Sequence, residues 1–336
     1  MQPSRRFTVV GAGGIGCAVG YFLRAAGASV LFVDSNPAKT AWGQSHGVCV
    51  DARQALPADF VSFEEWTPTP ADWLLLCTKC YDNSAVFARV PPKATVIPIQ
   101  NGFDHSFDSH GVFAEGIASF ISECIPGRTH TRITRRGDLH LGVRRKPGIS
   151  DGAIHGGEVV AALASALGTP DVFKIEIVAD ILPFKHAKLM YNAAIGPLAA
   201  AAGLDNGKLL SIREVRRLFF TLLRENFAIL DGAGVSLGKI GPFHPRTVDQ
   251  ILRHGFVASS LSWAFYPALR GTYCSMYPDL LNGKTEIEFY NRYLIDLAED
   301  RPCPLNRGVY ELIKSMERDR IPPGIERLGC LLSHAS

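Results

Sequence analysis

Residues 11–16 read Gly11-Ala12-Gly13-Gly14-Ile15-Gly16, and no other run in the chain restricts its fold as tightly. The run fits G-x-G-x-x-G, a pattern that is weak alone because glycine-rich turns are common. Its flanks give it meaning. Phe7–Val10 reads as a short apolar strand, Ile15–Ala26 as a helix ended by Gly27, and Ser29–Val33 as a second strand. Asp34 closes that strand, 18 residues after Gly16. A β-α-β unit of this form holds a dinucleotide. Gly11 permits the tight turn, Gly13 lets the backbone approach the pyrophosphate, and Gly16 lets the helix pack close to the strand. The free N–H groups at the helix start hold the phosphates. The expected cofactor set is therefore Gly11, Ala12, Gly13, Gly14, Ile15 and Gly16, with Asp34 on the adenosine ribose. A carboxylate there bonds both ribose hydroxyls and repels a 2′-phosphate, which favours NAD over NADP. Lys39, close by in sequence, softens that preference.

The same alternation continues through the first half. Val48–Asp51, Phe60–Phe63, Trp73–Cys77 and Thr95–Ile99 read as further extended pieces, and Ser84–Arg89 as a helix. Near-continuous apolar strands alternating with helices indicate a parallel sheet covered on both faces. The stretch Thr131–Gly142 differs. Its two extended runs flank Gly137-Asp138, which predicts an added hairpin. Seven Lys and Arg residues lie between Arg128 and Lys146; such a run is ordinarily a solvated face. From Ile181 onward the strand signals fade. Ala187–Ala202, Ile212–Asp231, Thr247–Leu252, Glu286–Glu299 and Val309–Asp319 all read as helices. The expected class is α/β: a doubly wound Rossmann-type domain over 1–179, then a mainly α-helical domain over 180–325. Residues 326–336 form a tail expected to be loosely held.

Composition narrows the function classes. With 47% apolar and 20% charged residues the chain is an ordinary globular one, long enough for about two domains. No apolar run reaches the roughly 18 residues a transmembrane helix needs, and Met1–Arg6 shows no signal-peptide pattern. A net charge of +3 gives no basic footprint for nucleic acid or a membrane surface. The eight cysteines are scattered, which fits reduced thiols in a cytoplasmic protein. Cys77 and Cys80 form a C-x-x-C, but Cys77 ends an apolar strand instead of opening a helix. No second ligand pair has zinc spacing, so no metal site is expected.

Four further signals carry chemistry only when taken together. Lys79 follows the strand Trp73–Cys77, at the carboxyl edge where ligands bind in doubly wound sheets; alone it is a surface lysine. Gln100-Asn101-Gly102 ends another strand, and Asn-Gly alone is a turn signal. The functional reading sets the Asn101 amide beside the cofactor. Lys188 and Asn192 share one helix face at i, i+4, although Lys185 is a competing lysine. Ser275 and Met276 precede Thr285-Glu286-Ile287-Glu288. There Thr285 and Glu288 predict a capping box, with Glu286 kept ionised in the first helical turn.

The ordered set resembles the ketopantoate reductase (2-dehydropantoate 2-reductase) family from Phe7 to about Met316. It comprises the glycine loop, a strand ending in lysine, Gln-Asn-Gly, Lys-x-x-x-Asn, Asn206-Gly207, Ser-Met and Thr-Glu-Ile-Glu. The resemblance implies a 6-phosphogluconate-dehydrogenase-like fold. It implies NAD(P)H-dependent reduction of 2-dehydropantoate to pantoate, a step of pantothenate synthesis. It further implies that Lys188 is the general acid and that Glu286 holds the substrate hydroxyl. Ser275 would bind the carboxylate, Asn192 and Asn206 would line the substrate site, and Lys79 and Asn101 would bridge cofactor and substrate. A small 2-keto acid is thus the expected partner, and a homodimer is compatible with the apolar helical domain. Gly196 stands where some members have a second asparagine, Thr272 where an asparagine is common, and Ser35 where NADP-using members carry arginine. These departures leave open another small 2-keto acid or an opine-type substrate. A catalytically silent dinucleotide sensor is the alternative of another class, and residues at every catalytic position argue against it.

Overall fold

Phe7, Val9 and Val10 are buried because their strand has neighbours on both sides and layers on both faces. In the computed structural model this strand, β1 (Arg6–Val10), pairs in parallel with β2 (Ser29–Asp34). The structure describes residues 6–145, 151–254, 269 and 271–332. It divides into two units, Met1–Leu182 and Pro183–Ser336.

In the first unit β3 (Cys49–Val50) stands apart, while β4 (Asp59–Ser62), β5 (Trp73–Leu76) and β6 (Thr95–Pro98) join β1 and β2. The order is β4-β2-β1-β5-β6, with every pairing parallel. Val10 lies opposite both Val33 and Leu76, so the strands' carboxyl ends are level. Alternate residues enter different cores. Val9, Phe32 and Leu75 pack with Cys17, Val19 and Leu23 of α1 (Gly14–Ala25). Val10, Val33 and Leu76 pack on the other face. α2 (Pro37–His46) starts where Asn36 Oδ1 accepts from the Ala38 N–H at 2.9 Å. Its only buried residues are Thr40 and Gly43, so the apolar pattern does not predict it. On the second face Val86 and Phe87 of α3 (Asn83–Phe87) and Phe107 of α4 (Ser106–Ser109) complete the layer. This is the expected doubly wound sheet.

The predicted hairpin is not formed. β7 (Ala114–Ala118), β8 (Ile121–Cys124), β9 (His130–Arg135) and β10 (Gly137–Val143) split between two small sheets. β9 pairs with β8 and β3, whereas β10 pairs with β7 and β11 (Phe173–Val178). Gly137 is the crossing point between sheets. A Cβ there would lie 2.6 Å from the Phe120 nitrogen, so close backbone approach selects this glycine. The true hairpin turn lies earlier, at Pro126-Gly127, where Ile125 N–H donates to His130 O at 2.8 Å. α5 (Asp151–Leu167) covers β10 and was not indicated by the sequence pattern. Arg132, Arg135 and Arg136 are exposed, and Arg132 pairs with Glu123 at 3.5 Å. Arg144 instead reaches the buried Glu115. Lys146 lies outside the described residues.

The second unit is helical: α6 (Leu182–Ala202), α7 (Asn206–Ser211), α8 (Arg213–Gly232), α9 (Pro245–Arg253), α10 (Met276–Leu281), α11 (Asn291–Ala298), α12 (Pro304–Asp319) and α13 (Gly329–Leu332). α6 begins earlier than its apolar pattern because Asp180 Oδ1 accepts from the Leu182 N–H at 3.0 Å. The helix expected over Glu286–Glu299 is interrupted. A single 3₁₀ turn, Ile287–Phe289, ends at Tyr290 (φ −117°, ψ −86°), and α11 starts afterwards. The tail is packed where it is described: Leu328 and Leu331 are buried. No helix among the described residues is long and apolar enough to cross a membrane.

Candidate active site

The glycine loop takes the form its spacing predicts. Gly11 has φ +97°, and a Cβ there would press on the Thr78 nitrogen at 2.8 Å. A Cβ on Gly16 would overlap the Gly11 carbonyl oxygen, so helix and loop close on each other. Gly13 is the opposite case, with nothing among the described residues within 4 Å of its Cβ position. That open space lies at the N-terminus of α1, which has no side-chain cap and no acidic residue in its first turn. Uncapped N–H groups beside an open backbone fit a pyrophosphate. Gly14 and Ile15 form the first helical turn, and Ser122 lies against Gly14.

Asp34 sits at the end of β2 as expected, with added duties. Its Oδ2 accepts from the Ala12 N–H at 2.8 Å and its Oδ1 from the Asn36 N–H at 2.9 Å. The carboxylate therefore latches the loop to β2, with acceptor capacity left over. Lys39 Nζ lies 3.6 Å from Asp34 Oδ2 and donates to the Ala12 carbonyl at 3.1 Å. Cys17 Sγ donates to that carbonyl at 3.3 Å. Its thiol pKa is raised by a hydrogen bond with Cys124 and by burial, while the same bond lowers Cys124. Cys17 and Cys124 thus brace the loop from behind, which sequence spacing did not reveal. Cys77 is pushed up to about 12 by burial, so the C-x-x-C offers no ready thiolate there.

Lys79 and Asn101 follow the adjacent parallel strands β5 and β6, at the same edge of the sheet. Buried Gln100 fixes both ends. Its Nε2 donates to the Thr78 carbonyl at 2.8 Å and to Asn83 Oδ1 at 2.8 Å, and Asn83 Nδ2 returns a bond to Gln100 Oε1 at 3.1 Å. Gln100 is the residue that places this edge.

In the second unit Lys188 and Asn192 are half-buried on α6, one turn apart. Lys185, by contrast, is 0% exposed, so it is the lysine less able to meet a ligand. Tyr191 is pushed up to about 12 by burial and stays a neutral phenol. Asn206 opens α7, capped by Asp205, and is 8% exposed. Its backbone N–H donates to the Thr272 carbonyl at 3.0 Å, while its Oδ1 is buried without a hydrogen-bond partner among the described residues. Cys274 Sγ donates to the Gly196 carbonyl at 3.2 Å, tying the segment before Ser275 to α6. Ser275 itself is exposed at the start of α10. Glu286 is 4% exposed, and Tyr290 Oη donates to its Oε2 at 3.4 Å.

The predicted capping box is absent. Thr285 Oγ1 accepts from the Ile287 N–H at 3.2 Å, and Glu288 turns away to Tyr310 at 2.9 Å and Lys314 at 3.1 Å. Glu286 therefore has no α-helix dipole behind it. It is buried instead, with Tyr290 as one of its contacts.

Comparison with known proteins adds the family. Residues 7–147 match the family described as Ketopantoate reductase PanE/ApbA, and residues 180–317 match its C-terminal counterpart. A 2-dehydropantoate 2-reductase of Listeria innocua serovar 6a is 30% identical over 266 residues, 76% of this chain and 77% of that protein. This chain belongs to the ketopantoate reductase family. It is an NAD(P)-dependent oxidoreductase of that family. Among solved structures, a PanE/ApbA family ketopantoate reductase from Ralstonia eutropha JMP134 shares its fold at 23% identity. The TM-score is 0.72, covering 94% of this chain and 99% of the other. D-mandelate dehydrogenase with NADH and anilino(oxo)acetate has the same TM-score and coverage at 17% identity.

Two departures from the ketopantoate reductase pattern now have surroundings. Gly196 and Thr272 both touch the segment that leads to Ser275: one through Cys274, the other through its own carbonyl to Asn206. Among the described residues, a Cβ on Gly196 would meet only Met276 Cε, at 4.0 Å. The first unit thus gathers Gly11–Gly16, Asp34, Lys79 and Asn101 around the carboxyl edge of one sheet. The second carries Lys188, Asn192, Asn206, Ser275 and Glu286 on helices and the loops that start them.

Proposed function

We propose that this chain reduces a small 2-keto acid, 2-dehydropantoate foremost, to the 2-hydroxy acid. The observation that carries the reading is the Asn206 amide oxygen, buried and without a hydrogen-bond partner among the described residues. Buried polar atoms are usually hydrogen-bonded, and a ligand group or an ordered water completes one that no protein group meets. A hydroxyl of the substrate is a donor of the right kind. The Glu286 carboxylate is the competing acceptor for that single hydroxyl, Asn192 adds an amide, and the Ser275 hydroxyl donates to the substrate carboxylate.

A reduced nicotinamide, when bound, supplies the hydride. As hydride adds, the keto oxygen gains negative charge. The Lys188 ammonium donates a hydrogen bond to that oxygen, stabilises the charge and passes its proton to complete the hydroxyl. The glycine loop, Lys79 and Asn101 hold the dinucleotide. Asp34 favours NADH, and Lys39 narrows the margin over NADPH.

Gly196 supports a second reading. Where a side chain would fill space near Met276, the described residues leave it open, which suits a 2-keto acid with a bulkier substituent. An absorbance assay with NADH and NADPH in parallel, over a panel of 2-keto acids led by 2-dehydropantoate, tests both readings. Fastest turnover on 2-dehydropantoate supports the first, and fastest turnover on a bulkier acid supports the second. Folded protein that binds cofactor yet oxidises it with no 2-keto acid overturns both.

A further inference from the structure

The helix that carries Lys188 and Asn192 has a proline inside it. Pro197 lacks an N–H, so α6 cannot give the Ala193 carbonyl its usual i→i−4 hydrogen bond. A buried carbonyl must find another donor. Asn291, the first residue of α11, supplies it: its Nδ2 donates to the Ala193 carbonyl at 2.9 Å. The second hydrogen of that amide goes to Asn306 Oδ1 on α12, also at 2.9 Å. Asn306 Nδ2 donates to Asn226 Oδ1 on α8 at 2.8 Å. Asn226 Nδ2 then returns to α6, donating to the Met190 carbonyl at 2.9 Å. Three fully buried asparagines from three helices therefore grip α6 at two carbonyls, on either side of Asn192. Glu225 anchors the middle one, accepting from both the backbone N–H (2.7 Å) and the amide (2.9 Å) of Asn306.

We propose that Asn291, Asn306 and Asn226 are positioning residues for the reductase reaction. They set the rotation and height of the α6 turn that presents Asn192, and with it Lys188 one turn earlier. The inference rests on the reading of Lys188 as the proton donor. Aliphatic side chains would fill the same space but let a helix slide along its axis. Directional bonds in a dry interior do not. The residue before Asn291 is Tyr290, whose hydroxyl reaches Glu286. One turn of chain thus fixes α6 and contacts Glu286, the carboxylate proposed to meet the substrate.

Pro197 provides the test. Pro197→Ala returns an N–H to the helix, and that N–H bonds the Ala193 carbonyl without help from Asn291. The experiment measures kcat, KM and cofactor Kd, with amide exchange across residues 190–199, for Asn291→Leu, Pro197→Ala and the double variant. Misplacement of a catalytic group by about 1 Å can lower turnover up to a hundredfold. Asn291→Leu alone is expected to lower kcat by about tenfold or more, at unchanged cofactor Kd and with faster exchange in α6. In the Pro197→Ala background the same change is expected to cost less than about threefold. Equal losses in the two backgrounds overturn the proposal, as does accelerated exchange with kcat intact. If Asn291→Leu does not fold, a double variant that folds and turns over supports it, and one that fails equally overturns it. Lys188→Ala run alongside separates the two ideas. Full turnover there removes the reading of Lys188 as acid, whereas equal losses in the two backgrounds refute the clamp with Lys188 still essential.

Discussion

The two units hold their ligand groups by opposite means. The first works by leaving side chains out. Gly13 keeps open space in front of uncapped helix N–H groups, and Gly11 and Gly16 let strand, loop and helix touch backbone to backbone. The second works by putting polar side chains in. Glu286, Asn206 and three further asparagines are buried among helices whose cores are rich in alanine and leucine. Backbone recognition tolerates little beyond glycine at fixed spacings. Side-chain recognition depends on which distant helix supplies each partner. Binding of cofactor and chemistry on substrate should therefore fail separately when either unit is altered.

The largest separation is expected at Lys188. Lys188→Ala should lower kcat by at least about a hundredfold, as loss of a general acid does. The Kd for NADH or NADPH, read by fluorescence titration, should stay within about twofold, since the glycine loop belongs to the other unit. A parallel loss of cofactor affinity would erase the distinction drawn here.

The converse change is in the loop. Gly13→Ala adds a methyl group where the protein has room, so thermal stability should barely move. The methyl group then occupies the space for the pyrophosphate, and cofactor Kd should rise by about tenfold or more. Gly16→Ala should behave differently. Its methyl group meets the Gly11 carbonyl, so overpacking of roughly 1–3 kcal/mol should lower stability as well as affinity. Matching stability losses in the two variants would show that Gly13 is also packed against protein.

The same contrast explains what the sequence disclosed. β1, α1, β2 and Asp34 were readable because each step is local: an apolar strand, a glycine turn, a helix and a carboxylate at a fixed distance. The i, i+4 pair Lys188 and Asn192 was readable for the same reason. The choice of partner strands was not. β9 and β10 look like a hairpin over Thr131–Gly142, and only the neighbours β8 and β7 decide that they enter different sheets. The capping box at Thr285 was locally well formed, but Tyr290 breaks the helix that would have used it. Asn291 and Ala193 are 98 residues apart, and nothing near either announces the other. Pro197 was the available signal, because a proline inside a helix leaves one carbonyl to be satisfied from elsewhere.

The smallest effect, and the one that sharpens the backbone side of the contrast, concerns the single carboxylate in the loop. Asp34 accepts from the Ala12 N–H, and the proposed function gives it a second job at the ribose. Asp34→Ala removes both. The lost latch weakens NADH and NADPH alike, while the lost ribose bonds weaken NADH alone and the lost negative charge relieves the 2′-phosphate. The ratio of Kd(NADH) to Kd(NADPH) should therefore rise by about tenfold, the scale of a charge-assisted hydrogen bond. Lys39→Ala should move the ratio the other way by about threefold. Its ammonium lies 3.6 Å from Asp34 in a partly exposed setting, where solvent screens the interaction and keeps the change small. Without it the carboxylate repels a 2′-phosphate more fully. Titration of both variants with both cofactors checks the signs. If both Kd values rise in Asp34→Ala while their ratio stays unchanged, Asp34 acts only as a latch for the loop, and cofactor choice has been assigned to the wrong residue.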